Sequence, residues 1–384
     1  MKLAFVHKRF GVQGGTERML EALVRGLRAR GHEIVVYCTG VAPRYERASL
    51  ATFVRIAGGG PSGTLRALRL WLSSRNKLRR GSHDVVVHMG RTGPLDVYRA
   101  GGGCHRTWMD LLRARARTRL QTLKLLLSPR HRFLLWHERR ALSAGGAFVV
   151  PSERARSDLL AAYGPVGEGI MVIPNGVDLD RFHPKVRQLW FAEQREALNI
   201  SPEQLVLLFV GSDPWRKGLD RVLAALAQLA PRREELLLLV LGEPRDRSRW
   251  ESDAERLGVR GRVAFLPSRD APEKLYAAAD LLVLPTRHDP FANVTLEALA
   301  CGLPVITSAQ NGASGELGAS DALVVLEDAD DPVECAQHIE RLLDPATLPG
   351  VRAAARGQAE AHGEGPFLDA WEQLFERIVE DRRA

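Results

Sequence analysis

Three clusters in this 384-residue chain have residue types and spacing suited to chemistry on anions and hydroxyl groups. The first, Gly11-Val12-Gln13-Gly14-Gly15-Thr16-Glu17-Arg18, follows an apolar run at 3–6. Adjacent Gly14 and Gly15 let backbone N–H groups approach a phosphate at the positive end of a helix. An ordinary tight β–α turn accounts for the same glycines. Neither Gly-x-Gly-x-x-Gly nor the Gly-Lys-Ser/Thr of a P-loop is present, which weakens a dinucleotide or ATPase assignment. The second cluster is Gly211-Ser212-Asp213-Pro214-Trp215-Arg216-Lys217-Gly218. Arg216 and Lys217 fall where a helix is expected to start, and cations there oppose the helix dipole unless an anion is bound. A guanidinium fork beside an ammonium suits a diphosphate; solvated basic residues are the alternative. In the third cluster, Asp289-Pro290-Phe291-Ala292-Asn293-Val294-Thr295-Leu296-Glu297, a carboxylate in a loop is followed by another one turn into a helix. Two acceptors at the C-terminal edge of a strand suit sugar hydroxyls, and the amides of Phe291, Ala292, Asn293 and Val294 suit a phosphate. Glu297 could be a solvated helix residue, but Leu296, Ala298, Leu299 and Ala300 around it favour a buried role.

The elements that must position these clusters alternate between strand and helix. Apolar runs of strand length occur at 3–6, 34–38, 85–88, 148–150, 206–210, 236–241, 263–266, 281–284, 305–307 and 323–326, with helical patterns between most of them. This is the pattern of parallel-sheet α/β units. The turn-rich stretch Pro174-Asn175-Gly176-Val177-Asp178-Leu179-Asp180 interrupts the alternation, which then restarts. The expected organisation is therefore a domain at 1–173, a linker at 174–184, a second domain at 185–363 and a final helix at 364–384. The apolar face of that helix (Phe367, Leu368, Trp371, Leu374, Phe375, Ile378) needs a surface to pack on.

Hydrophobic residues make up 45% and charged residues 26%, ordinary globular usage that excludes disordered, collagenous and disulfide-stapled classes. The N-terminal apolar run is too short for a signal-peptide core and no run approaches a spanning helix, so a cytoplasmic protein is expected. Cys38, Cys104, Cys301 and Cys335 lie far apart and read as reduced thiols. Asp178-Leu179-Asp180 has the letters of a metal motif but sits in the linker, where an Asx turn is the better reading. With 54 basic and 46 acidic residues, the net charge is +8. The surplus concentrates at 66–80 and 106–140, where arginines are interleaved with leucines and tryptophans. No helix-turn-helix, zinc or aromatic RNA-binding pattern accompanies it, which argues against nucleic acid. We expect these stretches to face an anionic membrane, with Trp71, Trp108, Leu111, Leu112, Phe133 and Trp136 entering the headgroup layer. Helices packed on the first sheet with solvated arginines are the alternative.

Gly14-Gly15, Gly211-Ser212 with Arg216-Lys217-Gly218, and Asp289-x7-Glu297 followed by Cys301-Gly302-Leu303-Pro304-Val305 together resemble the retaining glycosyltransferases of family 4. Within it, Gly211-Ser212-Asp213 and Leu95-Asp96-Val97-Tyr98 before Cys104 are similar to the lipopolysaccharide-core glucosyltransferases that act on heptose. The resemblance implies the GT-B fold, two Rossmann-like domains with the donor nucleotide sugar between them. It implies transfer of a hexose, glucose from UDP-glucose, to a phosphorylated glycolipid at the inner face of the cytoplasmic membrane. Arg216 and Lys217 would neutralise the diphosphate, Glu297 hold the ribose, and Asp289, where the family usually has Glu, hold the donor sugar. Gly14, Gly15, Gly211 and the 291–294 amides would complete the donor site, and Ser268 and Arg269 lie in the loop that contacts the base. His105 would stand beside the reacting sugar, with a surface histidine as the alternative. No cofactor and no metal are expected, because two cations do the ion's work. Without a carboxylate nucleophile near His105, retention implies front-face attack. A nonhydrolysing sugar-nucleotide epimerase on the same fold is the runner-up, and a basic membrane or nucleic-acid-binding protein is a further alternative.

Overall fold

The computed structural model describes the whole chain except residues 12–13, 47–49, 79–81, 91–95, 166–168, 243–245 and 270. Val12 and Gln13 of the first glycine loop, Leu95 of the segment before Cys104, and Arg79 and Arg80 of the first basic stretch therefore lie outside the described residues. Two compact units form, Met1–Asn175 with Glu364–Ala384, and Gly176–Gly363.

The first unit runs β1 (Lys2–Val6), α1 (Gly15–Ala29), β2 (Glu33–Cys38), α2 (Pro43–Glu46), β3 (Thr52–Arg55), α3 (Gly63–Lys77), β4 (Val85–Met89), β5 (Val97–Arg99), α4 (His105–Arg115), α5 (Arg119–Leu127), α6 (Pro129–Leu142), β6 (Ala147–Val150), α7 (Glu153–Tyr163) and β7 (Ile170–Val172). The second runs α8 (Lys185–Ala197), β8 (Leu205–Val210), α9 (Pro214–Lys217), α10 (Leu219–Leu229), β9 (Leu236–Leu241), α11 (Arg247–Arg256), a single 3-10 turn at Arg260–Arg262, β10 (Val263–Leu266), α12 (Glu273–Ala278), β11 (Leu281–Leu284), α13 (Asn293–Ala300), β12 (Val305–Ser308), α14 (Gly312–Leu317), β13 (Leu323–Leu326), α15 (Pro332–Leu342) and α16 (Leu348–Glu360). The chain ends in α17 (Glu364–Asp381), which belongs to the first unit.

Both sheets are parallel, in the orders β3-β2-β1-β4-β5-β6-β7 and β10-β9-β8-β11-β12-β13. Strands such as Leu-Val-Leu-Leu-Phe-Val in β8 are apolar throughout because helices cover both faces of a parallel sheet. The strand order of each sheet reverses once, between β1 and β4 and between β8 and β11, with all strands still parallel. Open α/β sheets bind ligands at such switch points, outside the carboxyl ends of the strands. The β8/β11 switch lies beside two of the three clusters.

Three strands escaped the reading of the sequence. β5 has three residues and ends in Arg99, and β3 is a half-buried edge strand holding Thr52 and Arg55, so neither presents a long apolar run; β7 lies in Ile170-Met171-Val172-Ile173, a run as apolar as that of β6. The expected linker divides at Asn175/Gly176, and Asp178 closes a turn by accepting from the amides of Asp180 and Arg181 at 3.2 and 3.0 Å. α17 packs Phe367, Leu368, Trp371, Leu374 and Phe375 onto the first core beside Leu20, Leu23, Val24 and Leu27 of α1. Gly26 permits this: a Cβ there would stand 2.4 Å from the Leu368 side chain.

Candidate active site

In the second unit the chain leaves β8 through Gly211 and enters a single helical turn. Asp213 caps it by accepting from the Arg216 amide at 3.3 Å, with Pro214 in the first turn, a favoured pairing at a helix start. Gly218 then ends α9 in the left-handed region (φ 85°) and starts α10. A Cβ on Gly218 would lie 2.2 Å from the Pro285 carbonyl oxygen at the end of β11, so only glycine lets the two strand ends approach this closely. This corrects one expectation: Arg216 and Lys217 close a one-turn helix rather than opening a long one, so they do not oppose a helix dipole. The carbonyl of Arg216 is taken by Thr286 Oγ1 at 2.8 Å and the Arg287 amide at 2.8 Å, which tie α9 to the loop after β11.

Both cations converge on Asp289. Lys217 Nζ lies 2.5 Å and Arg216 Nη1 2.8 Å from the same Asp289 oxygen, and Arg216 Nη1 also donates to the His288 carbonyl at 2.9 Å. Lys217 is 7% and Asp289 6% exposed. Burial alone would raise the Asp289 pKa, but the charges and hydrogen bonds of Lys217 and Arg216 outweigh it and hold the carboxyl well below its ordinary range. Burial draws the Lys217 ammonium below its usual value, and Asp289 opposes that. Gly211 clears space for the lysine: a Cβ there would meet Lys217 Cγ at 2.9 Å.

The backbone after Asp289 also departs from expectation. The Phe291 amide donates to Asp289 Oδ1 at 3.1 Å and the Ala292 amide to Asn311 Oδ1 at 3.1 Å, so both are engaged within the protein rather than offered to a phosphate. Asn293 and Val294 form the first positions of α13. Glu297, on that helix, is 6% exposed and accepts from Tyr276 Oη at 2.8 Å, consistent with a buried rather than a solvated carboxylate. Ser268 is exposed in the loop after β10, and half-buried Arg269 donates to Gln194 on α8 at 3.2 Å.

The remaining sequence-derived residues lie in the first unit. Gly14 (φ 148°) precedes α1, and a Cβ on it would fall 2.1 Å from a Glu17 carboxylate oxygen. Glu17 therefore lies over the glycine, held by His7 at 3.4 Å, while Gly15 is exposed. His105 is the first residue of α4 and is 3% exposed, which removes the surface-histidine alternative.

Two family descriptions match the chain, Glycosyltransferase Family 4 over residues 13–181 and Glycosyl transferases group 1 over residues 191–355. Lipopolysaccharide glucosyltransferase WaaG of Escherichia coli (strain K12) is 30% identical over 319 residues, covering 81% of this chain and 81% of that protein. The chain belongs to glycosyltransferase family 4. The crystal structure of WaaG, a glycosyltransferase involved in lipopolysaccharide biosynthesis, matches it with a TM-score of 0.78 at 26% identity, covering 98% of both chains. The fold is GT-B, with two Rossmann-like domains. Anabaena HepE in complex with UDP and glucose shares the fold, with a TM-score of 0.71 at 18% identity over 98% of this chain and 99% of that one. D-inositol 3-phosphate glycosyltransferase of Actinosynnema mirum is 30% identical over 265 residues, which are 66% of this chain and 60% of that protein.

In this glycosyltransferase, Asn311 is the site residue that the sequence reading passed over. Fully buried after β12, it accepts from Ala292 and Ala313 amides and donates to Thr295 and Thr307 at 2.9 and 3.0 Å, fastening the Asp289 loop to two neighbouring elements. Its only local signal was Asn-Gly before a helix, the mark of a cap. Two cations, a carboxylate that aims them and a second carboxylate on the next helix are thus assembled at the β8/β11 switch. Among the described residues, no group of three His, Cys, Asp or Glu side chains is placed to hold a metal ion.

Proposed function

We propose that this glycosyltransferase moves glucose from UDP-glucose to the core of a phosphorylated glycolipid, with retention and without a metal ion. The observation that carries this reading is the convergence of Arg216 and Lys217 on one buried point, a ready countercharge for a departing diphosphate. Their fixed placement lowers the reorganisation needed as negative charge develops on the leaving group. Glu297 holds the ribose hydroxyls and Asp289 the transferred sugar, each by accepting hydrogen bonds. The acceptor oxygen bonds to the anomeric carbon on the face the diphosphate leaves, and a phosphate oxygen takes the acceptor's proton. His105 stands on the acceptor side. Similarity to a lipopolysaccharide glucosyltransferase across four-fifths of both chains supports this donor and acceptor over the inositol-phosphate alternative, whose match covers 60% of that protein.

The same reading places the enzyme peripherally on the anionic inner face of the cytoplasmic membrane. α5 buries none of its residues and exposes Leu120, Leu123, Leu126 and Leu127, while Arg113, Arg115, Arg117, Arg119, Lys124, Arg130 and Arg132 lie exposed around it. Apolar side chains ringed by cations match a lipid surface with anionic headgroups. No helix among the described residues is long and apolar enough to cross a membrane.

A panel of nucleotide sugars tests the reading. UDP-glucose and UDP should raise the melting temperature, and UDP-glucose alone should support transfer to a heptose-phosphate inner-core glycolipid in the presence of a chelator. Stabilisation by a different nucleotide would overturn the donor, activity restored only by magnesium or manganese the metal independence, and transfer to inositol phosphate the acceptor.

A further inference from the structure

Helix α4 begins without the usual closure: it has no acid in its first turn, and Cys104 before it makes no capping side-chain bond. The first amide, that of His105, is closed from another helix, with Glu138 Oε1 of α6 accepting at 2.7 Å. The second Glu138 oxygen accepts from Tyr163 Oη of α7 at 2.6 Å and from Cys104 Sγ at 3.8 Å. Burial, reinforced by the carboxylate, raises both the Tyr163 phenol and the Cys104 thiol, the latter to about 11, so both keep their protons and donate. A carboxylate only 5% exposed is sustained by such donors. About two turns earlier on α6, His131 Nδ1 lies 3.1 Å from His105 Nε2, and the two rings stack with centroids 5.3 Å apart at 23°. One helix therefore holds His105 at its backbone and at its ring.

We propose that Glu138 and His131 are positioning residues for His105, setting its backbone and its ring orientation for the transfer step. The inference rests on the reading of His105 as the acceptor-side residue. Terminal ring torsions of histidine are broad, so an imidazole held only at Cα wanders. A hydrogen bond at one ring nitrogen selects tautomer and direction together. Displacements near 1 Å at a reacting centre cost on the order of 100-fold in rate, and a glutamate that spans α4, α6 and α7 prevents them.

The test uses the full chain with UDP-glucose and the glycolipid acceptor, measuring kcat, KM, UDP affinity and melting temperature for His105→Ala, Glu138→Gln, His131→Ala and His131→Gln. A mere cap for α4 would lower the melting temperature and leave kcat alone. Positioning lowers kcat about 10- to 100-fold in Glu138→Gln and about 10-fold in His131→Ala, with donor KM and UDP affinity within about twofold. His131→Gln, whose amide can meet the His105 ring, should recover most of the His131→Ala loss. Wild-type kcat in Glu138→Gln and His131→Ala beside an inactive His105→Ala overturns the inference alone. Wild-type kcat in His105→Ala removes the reading of His105 and the inference together, while retained UDP affinity leaves the donor site standing. If Glu138→Gln fails to fold, the His131 pair decides, and equal kcat in His131→Ala and wild type refutes the proposal.

Discussion

Helix α13 in the second unit buries Val294 through Ala300, a carboxylate included, whereas α5 in the first unit buries nothing and exposes four leucines. The two cores differ in the same sense. One contiguous cluster surrounds the second sheet, while the apolar interior of the first unit is divided into three. A charged group survives inside a continuous core only when its partners are fixed there, as Asp289 is by Lys217 and Arg216. Helix α5 rests against α4 and α6 with Thr122 and Leu125 only half-buried, and its other four leucines are exposed. The charged cluster of the second unit is thus specified by buried polar pairing, and α5 of the first unit presents exposed apolar surface. Substitutions should separate the two.

The largest effects belong to the buried pair. Lys217→Ala leaves buried Asp289 with Arg216 as its remaining cation, and about 1.5–3 kcal/mol of stability should go with the lost charged hydrogen bond, together with on the order of 10³ in turnover. Asp289→Asn should cost a similar amount by leaving Lys217 uncompensated. Urea midpoints across pH check the cause. Asp289 titrates lower in the folded protein than in the unfolded chain, so its contribution is complete above about pH 4 and is lost as pH falls further. Asp289→Asn should show a shallower acid limb than wild type; parallel limbs would mean the pair is not the source.

An intermediate effect is expected at Glu297. Glu297→Gln should weaken UDP binding about 10-fold with kcat less affected, since a ribose-holding group acts on ground and transition states alike. Tyr276→Phe, which removes the hydroxyl bonded to Glu297, should weaken it by a smaller factor, about fivefold for one hydrogen bond near 1 kcal/mol. Calorimetry with UDP decides, and a loss of melting temperature with unchanged affinity would make both residues structural.

The smallest effect on the folded protein should come from the most exposed helix. Replacing Leu120, Leu123, Leu126 and Leu127 by Ser should shift stability by no more than about 0.5 kcal/mol per site. The same variant should no longer sediment with anionic vesicles. Wild-type binding should weaken steeply with salt and on neutral vesicles. Indifference to vesicle charge, or no binding at all, removes the membrane assignment and leaves the transferase intact.

How much of this was legible differs by element. The long strands and the charged clusters stood out because Gly211, Pro214, Gly218 and Pro290 punctuate the chain close to them. The residues expected to meet a membrane did not: Trp71, Trp108, Leu111, Leu112 and Phe133 prove half-buried, Trp71 and Phe133 packing against Trp136 at 5.7 Å, and of the expected set Trp136 is the exposed one. Leucines at helical spacing look alike whether they meet a core or a lipid, so α5 carried no distinguishing mark. Arg99 is the converse case. It is 1% exposed at the end of β5, donating to the Ile173 carbonyl and Asn175 with its guanidinium over Trp371, a burial that no basic residue advertises.

The order of residues along the chain determined the alternating strands and helices, the division near Asn175, the basic surplus before residue 140 and the four charged groups that follow β8 and β11. These follow from local propensity, periodicity and composition, which act over a few residues. Tertiary structure alone decided that Asp289 would pair with both Arg216 and Lys217, that Asn311 would fasten the Asp289 loop, and that Glu138 and His131 would hold His105. Those partners lie between 19 and 73 residues apart, and a hydrogen bond across such a separation forms only after sheet formation and helix packing have brought distant segments together.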